Sequence, residues 1–131
     1  MTMKWQDHGL KTPLARARGL GAAGHGTEHW MAQRITALAN IPLCIWLVYS
    51  IVSLKGASHE EFTGWLSEPI NAILMILFVI STVYHGVLGS QVVVEDYIHH
   101  EGFKKLKLIG NTLFFFALAI ACIFSILKIA L

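Results

Sequence analysis

Tyr84-His85-Gly86-Val87-Leu88-Gly89-Ser90-Gln91-Val92-Val93-Val94-Glu95-Asp96-Tyr97 begins inside a long apolar run and ends in charged residues. A helix turns about 100° and rises about 1.5 Å per residue. The eleven steps from His85 to Asp96 bring the two side chains onto nearly the same face, roughly 16 Å apart along the axis. Gly86 and Tyr97 are related in the same way on the next stripe. One helix therefore carries an imidazole at depth and a carboxylate and phenol at its mouth. An ionisable group inside a membrane span is costly and points to function.

Working outward, the 131 residues are 55% hydrophobic and only 14% charged, against about 25% charged in soluble domains. The apolar residues fall into three long blocks, and the mean hydropathy is +0.59. This is the composition of an all-α integral membrane protein with room for one small bundle. Spans are expected over residues 31–54, 70–94 and 108–131. Residues 1–27 form a basic N-terminal arm, and residues 28–131 the three-helix anchor domain. Cys44 and Cys122 lie in apolar blocks without CxxC spacing, which excludes a disulfide framework. A net charge of +2 gives no reason to expect a nucleic-acid partner.

The arm holds Lys4, Lys11, Arg16 and Arg18, with no short apolar core of a signal peptide. Gly19, Gly21 and Gly24 spell GxGxxG, but no strand precedes them and a span follows, so the pattern reads as a lead-in rather than a dinucleotide loop. Thr27 is expected to cap the first helix. Ser67-Glu68-Pro69 is expected to open the second helix, which should run past Tyr97 and stop before Gly102. Residues 55–68 read as a polar loop, with Trp65 at the interface. Lysines 104, 105 and 107 follow the second span, while the opposite side holds only Lys55 and Lys128. The positive-inside rule then puts the N-terminus inside and the C-terminus outside. His85 falls near mid-span, somewhat toward the inner side. Asp96, Tyr97 and Arg34 fall at the inner surface.

Of seven histidines, only His85 lies within a span. The bland reading is an imidazole bonded to a helix carbonyl or to a hydroxyl such as that of Ser81. The functional reading is a haem-iron ligand, neutral imidazole being an ordinary one. Gly86, Gly89 and Ser90 permit close helix packing, and they could equally clear space for a planar macrocycle. A six-coordinate haem would need its second axial ligand from another chain. Tyr97 can hydrogen-bond a quinone carbonyl, and Asp96 can relay protons to it. Both could instead be an aromatic anchor and a solvated carboxylate. Arg34 either snorkels to headgroups or meets an anionic group of a ligand.

The combination of the basic arm, His29-Trp30-x-x-Gln33-Arg34-x-Thr36-Ala37 and His85 followed eleven residues later by Asp96-Tyr97 resembles the small hydrophobic membrane anchor of succinate dehydrogenase, respiratory complex II. The resemblance covers the chain from about residue 19 to the end. It implies a citric-acid-cycle and electron-transport enzyme of four subunits: a flavoprotein, an iron-sulfur protein and two anchors in one helical bundle. It further implies a haem b shared with the second, cytochrome b anchor, and a ubiquinone site shared with the iron-sulfur protein. His85 would be the haem-iron ligand, Arg34 would lie near the haem propionates, Tyr97 would bond the quinone and Asp96 would sit beside it. The membrane would be the bacterial inner membrane or the mitochondrial inner membrane. Two other readings remain: the anchor of a quinol:fumarate reductase, and a non-redox three-span scaffold.

Overall fold

The computed structural model describes Leu14, Ala17 and residues 26–131. The arm over residues 1–27, with its GxGxxG pattern, therefore lies almost wholly outside the described residues. Four helices follow in order: α1 (Gly26–Ser53), α2 (His59–Ser67), α3 (Pro69–Tyr97) and α4 (Glu101–Ala130). Three of them, α1, α3 and α4, are long and apolar enough to cross a membrane. At 28, 29 and 30 residues and about 1.5 Å per residue, each exceeds a hydrocarbon core of about 30 Å. The surplus is polar and lies at the helix ends.

The boundaries depart from the sequence expectation in ways that local chemistry explains. Position 26 is already helical, so Thr27 lies in the first turn of α1 rather than capping it. The segment read as a loop contains α2, which opens on a capping box. The Glu61 N–H is bonded to the Ser58 hydroxyl, and the Ser58 N–H to the Glu61 carboxylate at 2.6 Å. That backbone bond, aided by the hydroxyl, holds the Glu61 carboxyl below its ordinary range. Gly56, at φ 85°, supplies the left-handed turn between α1 and α2. Pro69 opens α3 as expected, but its cap residue, Glu68, makes no side-chain bond. Ser67 donates instead to the Thr63 carbonyl at 2.9 Å and to that of Ile129 at 3.4 Å.

The second long helix ends earlier than expected. α3 stops at Tyr97, and Ile98 turns extended. The His100 ring accepts the Phe103 N–H at 3.3 Å and so caps α4. Gly102 is consequently inside the first turn of α4 and not a C-cap. Lys104, Lys105 and Lys107 lie on that helix rather than in a loop.

The long helix α3 is central. It packs on α1 along one side and on α4 along another, while the backbones of α1 and α4 do not approach each other closely among the described residues. The short helix α2 lies against the N-terminal end of α3 and the C-terminal end of α4, and Trp65 on it stacks on Trp46 of α1 at 5.9 Å. Few side chains are buried: Leu66, Leu88 and Ile126, with polar Thr36 and Ser50. In lipid this is a stable arrangement, because the surrounding tails are as apolar as the side chains and give no hydrophobic drive to helix association. Packing shape and hydrogen bonds must set the register.

The α3–α4 seam is set by shape. A Cβ on Gly86 would meet the Phe115 ring at 2.9 Å, closer than side chains approach. Gly86 therefore serves helix packing; the ring of α4 fills the space that could have admitted a macrocycle. Gly89 differs, since a Cβ there would lie an ordinary 3.6 Å from the Gln33 amide. Within α4, Thr112 and Ser125 donate to carbonyls one turn back, of Leu108 and Ala121. Asn111 has an unpartnered side-chain N–H₂ group among the described residues. Gly86→Ala is expected to destabilise the protein by about 1–3 kcal/mol through overpacking. Gly89→Ala should stay within about 0.5 kcal/mol of the parent. Thermal unfolding in detergent compares them, and equal effects would exclude the close approach at Gly86.

Candidate functional site

The α1–α3 seam is polar, and His85 sits within it. Four α1 positions at helical spacing, His29, Gln33, Thr36 and Asn40, face α3. His29 Nε2 lies 3.4 Å from Gln91 Oε1, and Gln33 lies beside Gly89. Thr36 Oγ1 is 3.1 Å from His85 Nδ1. Asn40 Oδ1 accepts from Thr82 at 3.5 Å. Ser81, one turn before His85, reaches the Thr36 carbonyl at 3.5 Å. The hydroxyl partner of His85 is thus Thr36 on the neighbouring helix, and not Ser81. Ser90 donates to the carbonyls of Gly86 and Val87 at 2.7 and 3.0 Å, so it too belongs to packing.

His85 is half-buried, and its Nε2 makes no hydrogen bond to the described residues. Among those residues no three His, Cys, Asp or Glu side chains gather as a metal cage. A bare ion would lack donors there. A haem would bring four nitrogen donors of its own and need only one or two more from protein, of which a half-buried imidazole can provide one.

Asp96 and Tyr97 end α3, and both are exposed, Tyr97 at 80%. By helical register Asp96 continues the His85 stripe that faces α1, whereas Tyr97 continues the Gly86 stripe. The last turn is held by Lys104, whose ammonium donates to the Glu95 carbonyl at 2.9 Å. A cation there also opposes the negative end of the α3 dipole. In the sequence, Lys104 is legible only as an orientation marker. Its position four residues into α4 becomes meaningful once the connection is seen to be three residues long.

Arg34 stands apart. It is two residues from Thr36, or about 200° around α1, and so turns away from the His85 seam. Its guanidinium lies over Trp30, 5.3 Å from the ring centroid. The structure brings together His85, Thr36 and Ser81; it does not bring Arg34 to His85, Asp96 or Tyr97. The residues given no role at the site by the sequence are Thr36, Gln91 and Lys104. The helical spacing of the α1 polar residues is the available signal for the first.

The sequence matches the family described as succinate dehydrogenase/fumarate reductase transmembrane subunit over residues 9–127. The chain belongs to this family. It is 32% identical over 117 residues to the succinate dehydrogenase hydrophobic membrane anchor subunit of Rickettsia bellii, covering 89% of this chain and 94% of that protein. It is 28% identical over 120 residues to the Paracoccus denitrificans protein of the same description, covering 92% of each. A shorter likeness, 32% over 57 residues and 44% of each chain, is to a fumarate reductase subunit of Haemophilus ducreyi. No solved structure matches the chain.

The Lys104 contact predicts a local effect at the mouth of the site. Lys104→Met keeps the stem and removes the charge. The lost cap, worth about 0.3–1 kcal/mol, should speed hydrogen exchange at amides 94–98 about two- to fivefold. Unchanged exchange there would show that the bond does not hold the last turn.

Proposed function

We propose that the chain is the hydrophobic membrane anchor of a succinate:ubiquinone oxidoreductase, supplying one axial imidazole to a haem b and one wall of the ubiquinone-reduction site. His85 carries the reading. It is an imidazole within an apolar span, held at one nitrogen by Thr36 and without a described partner at the other. Bound there, haem supplies a reversible one-electron centre. The second axial ligand would come from a cytochrome b anchor, and electrons from an iron-sulfur protein served by a flavoprotein. This chain would not touch succinate.

The arm, the 98–100 connection and the start of α4 would face the cytoplasm, or the matrix in a mitochondrion, as the lysines and arginines of the arm and Lys104, Lys105 and Lys107 of α4 favour. Asp96 and Tyr97 would then stand at the inner surface, where a lipid-soluble quinone meets water. Quinone reduction takes up two electrons and two protons per quinol formed. The Tyr97 phenol would donate a hydrogen bond to a quinone carbonyl, orienting the head group. The Asp96 carboxylate would pass protons inward from water. Arg34, turned outward from the His85 seam, would meet an anionic group such as a haem propionate, presented from outside the three helices.

The partial likeness to a fumarate reductase protein supports a second reading, in which the same residues handle a quinol running the reaction in reverse. Succinate:quinone and quinol:fumarate rates of the assembled complex discriminate the two.

His85→Ala is expected to remove or alter the b-type haem absorption of the assembled complex. A spectrum and haem content like the parent's would overturn the ligand assignment. Tyr97→Phe should depress quinone reduction while succinate oxidation by a soluble dye continues. Equal loss of both would place the defect in assembly.

A further inference from the structure

The hydroxyl of Thr36 has one hydrogen and three polar neighbours. The Ala32 carbonyl is at 2.9 Å, the Gln33 carbonyl at 3.1 Å and His85 Nδ1 at 3.1 Å. Carbonyl oxygens can only accept. Were the hydrogen directed at Nδ1, the hydroxyl oxygen would face two carbonyl oxygens at contact distance with no proton between. Directed at the carbonyls, it satisfies the usual back-bond of a helical threonine and leaves an oxygen lone pair for Nδ1. Nδ1 must then carry the imidazole proton, and Nε2 the lone pair.

The surroundings keep this arrangement in place. Thr36 is buried, at 9% exposure, so water does not compete for its hydroxyl. Ser81 holds the carbonyl of the same residue at 3.5 Å. The helix α3 therefore grips Thr36 twice, from two side chains one turn apart. Removing the hydroxyl of Ser81 loosens the helix pair and leaves the Nδ1 bond, whereas removing that of Thr36 breaks the Nδ1 bond.

We infer that Thr36 is a positioning residue for the haem-iron ligand: its hydroxyl accepts the Nδ1–H of His85 and fixes the tautomer that leaves Nε2 free to coordinate. The inference rests on His85 being that ligand. A histidine ligand whose other N–H is bonded has a set ring orientation and greater basicity. Greater basicity stabilises oxidised over reduced iron, so loss of the bond should raise the haem reduction potential.

The test uses the whole complex purified from membranes, with Thr36→Val, Thr36→Ser, Ser81→Ala and His85→Ala variants. Valine keeps the shape of threonine without the acceptor. Expected for Thr36→Val are an upward shift of the haem potential and about ten- to hundredfold weaker haem retention, read as transfer to apomyoglobin. Thr36→Ser should restore both, and Ser81→Ala should leave the potential unmoved. A Thr36→Val complex matching the parent in potential and retention, alongside a haem-depleted His85→Ala complex, would overturn the role of Thr36 and leave the ligand assignment standing. An unaltered haem in His85→Ala would overturn both. A Ser81→Ala shift equal to that of Thr36→Val would reassign the effect to helix packing and overturn the proposal. Should valine prevent assembly, Thr36→Cys replaces it, its thiol being a weak acceptor; an unshifted potential in that variant overturns the proposal.

Discussion

The contact on which the pairing of α1 with α3 depends is the clasp of α3 on Thr36. Lipid offers polar groups no partners and apolar side chains no reason to leave it. Two helices in such a solvent can slide past one another unless something penalises the movement. A slip of one turn along the α1–α3 seam would separate Thr36 from both His85 and Ser81. It would also part His29 from Gln91 and Asn40 from Thr82. Each bond is modest, of order 0.6 kcal/mol in measured membrane cases, yet all must break together. The set fixes register where a single bond would not.

The other face of α3 solves the same problem differently. Between α3 and α4 the register is set by the Phe115 ring seated against Gly86. Gly86 follows His85 in sequence, about 100° further round the helix. Two adjacent residues thus commit α3 to two neighbours by unlike means, a hydrogen bond on one side and steric fit on the other. Thr36 engages Nδ1 of the His85 ring and Phe115 fills the adjoining stripe, so Nε2 is the ring nitrogen without a partner among the described residues.

The three long apolar helices, the place of His85 along the second of them and the register of Asp96 are legible in the sequence, because they follow from hydropathy and helical period alone. The small residues around His85 are equally plain there, but not which of two uses they serve. Gly86 is read correctly only once Phe115, 29 residues away, is known to oppose it. Ser81 is the plausible partner of His85 by sequence distance, yet a hydroxyl one turn away on the same helix loses to one on the helix opposite. The α2 helix is written in Ser58-x-x-Glu61, and the charge of the segment disguises it as a loop. The early stop of α3 depends on His100 acting as a cap, a role that composition does not announce.

Exposed apolar residues such as Ile35, Leu38, Ile41 and Ile45 on α1 do not by themselves demand a partner chain, since lipid covers them without cost. The argument for a partner is instead chemical. On the proposed haem reading one imidazole supplies half of what the iron takes from protein, and the other histidine described within a long apolar helix, His29, lies near the start of α1 against Gln91. Among the described residues, Arg34 turns away from the polar α1–α3 seam and lies over the Trp30 face. Open helix layers are ordinary in membranes; on the proposed reading, the half-buried imidazole and the outward guanidinium would each be completed by a cofactor and a second chain rather than by the three helices themselves.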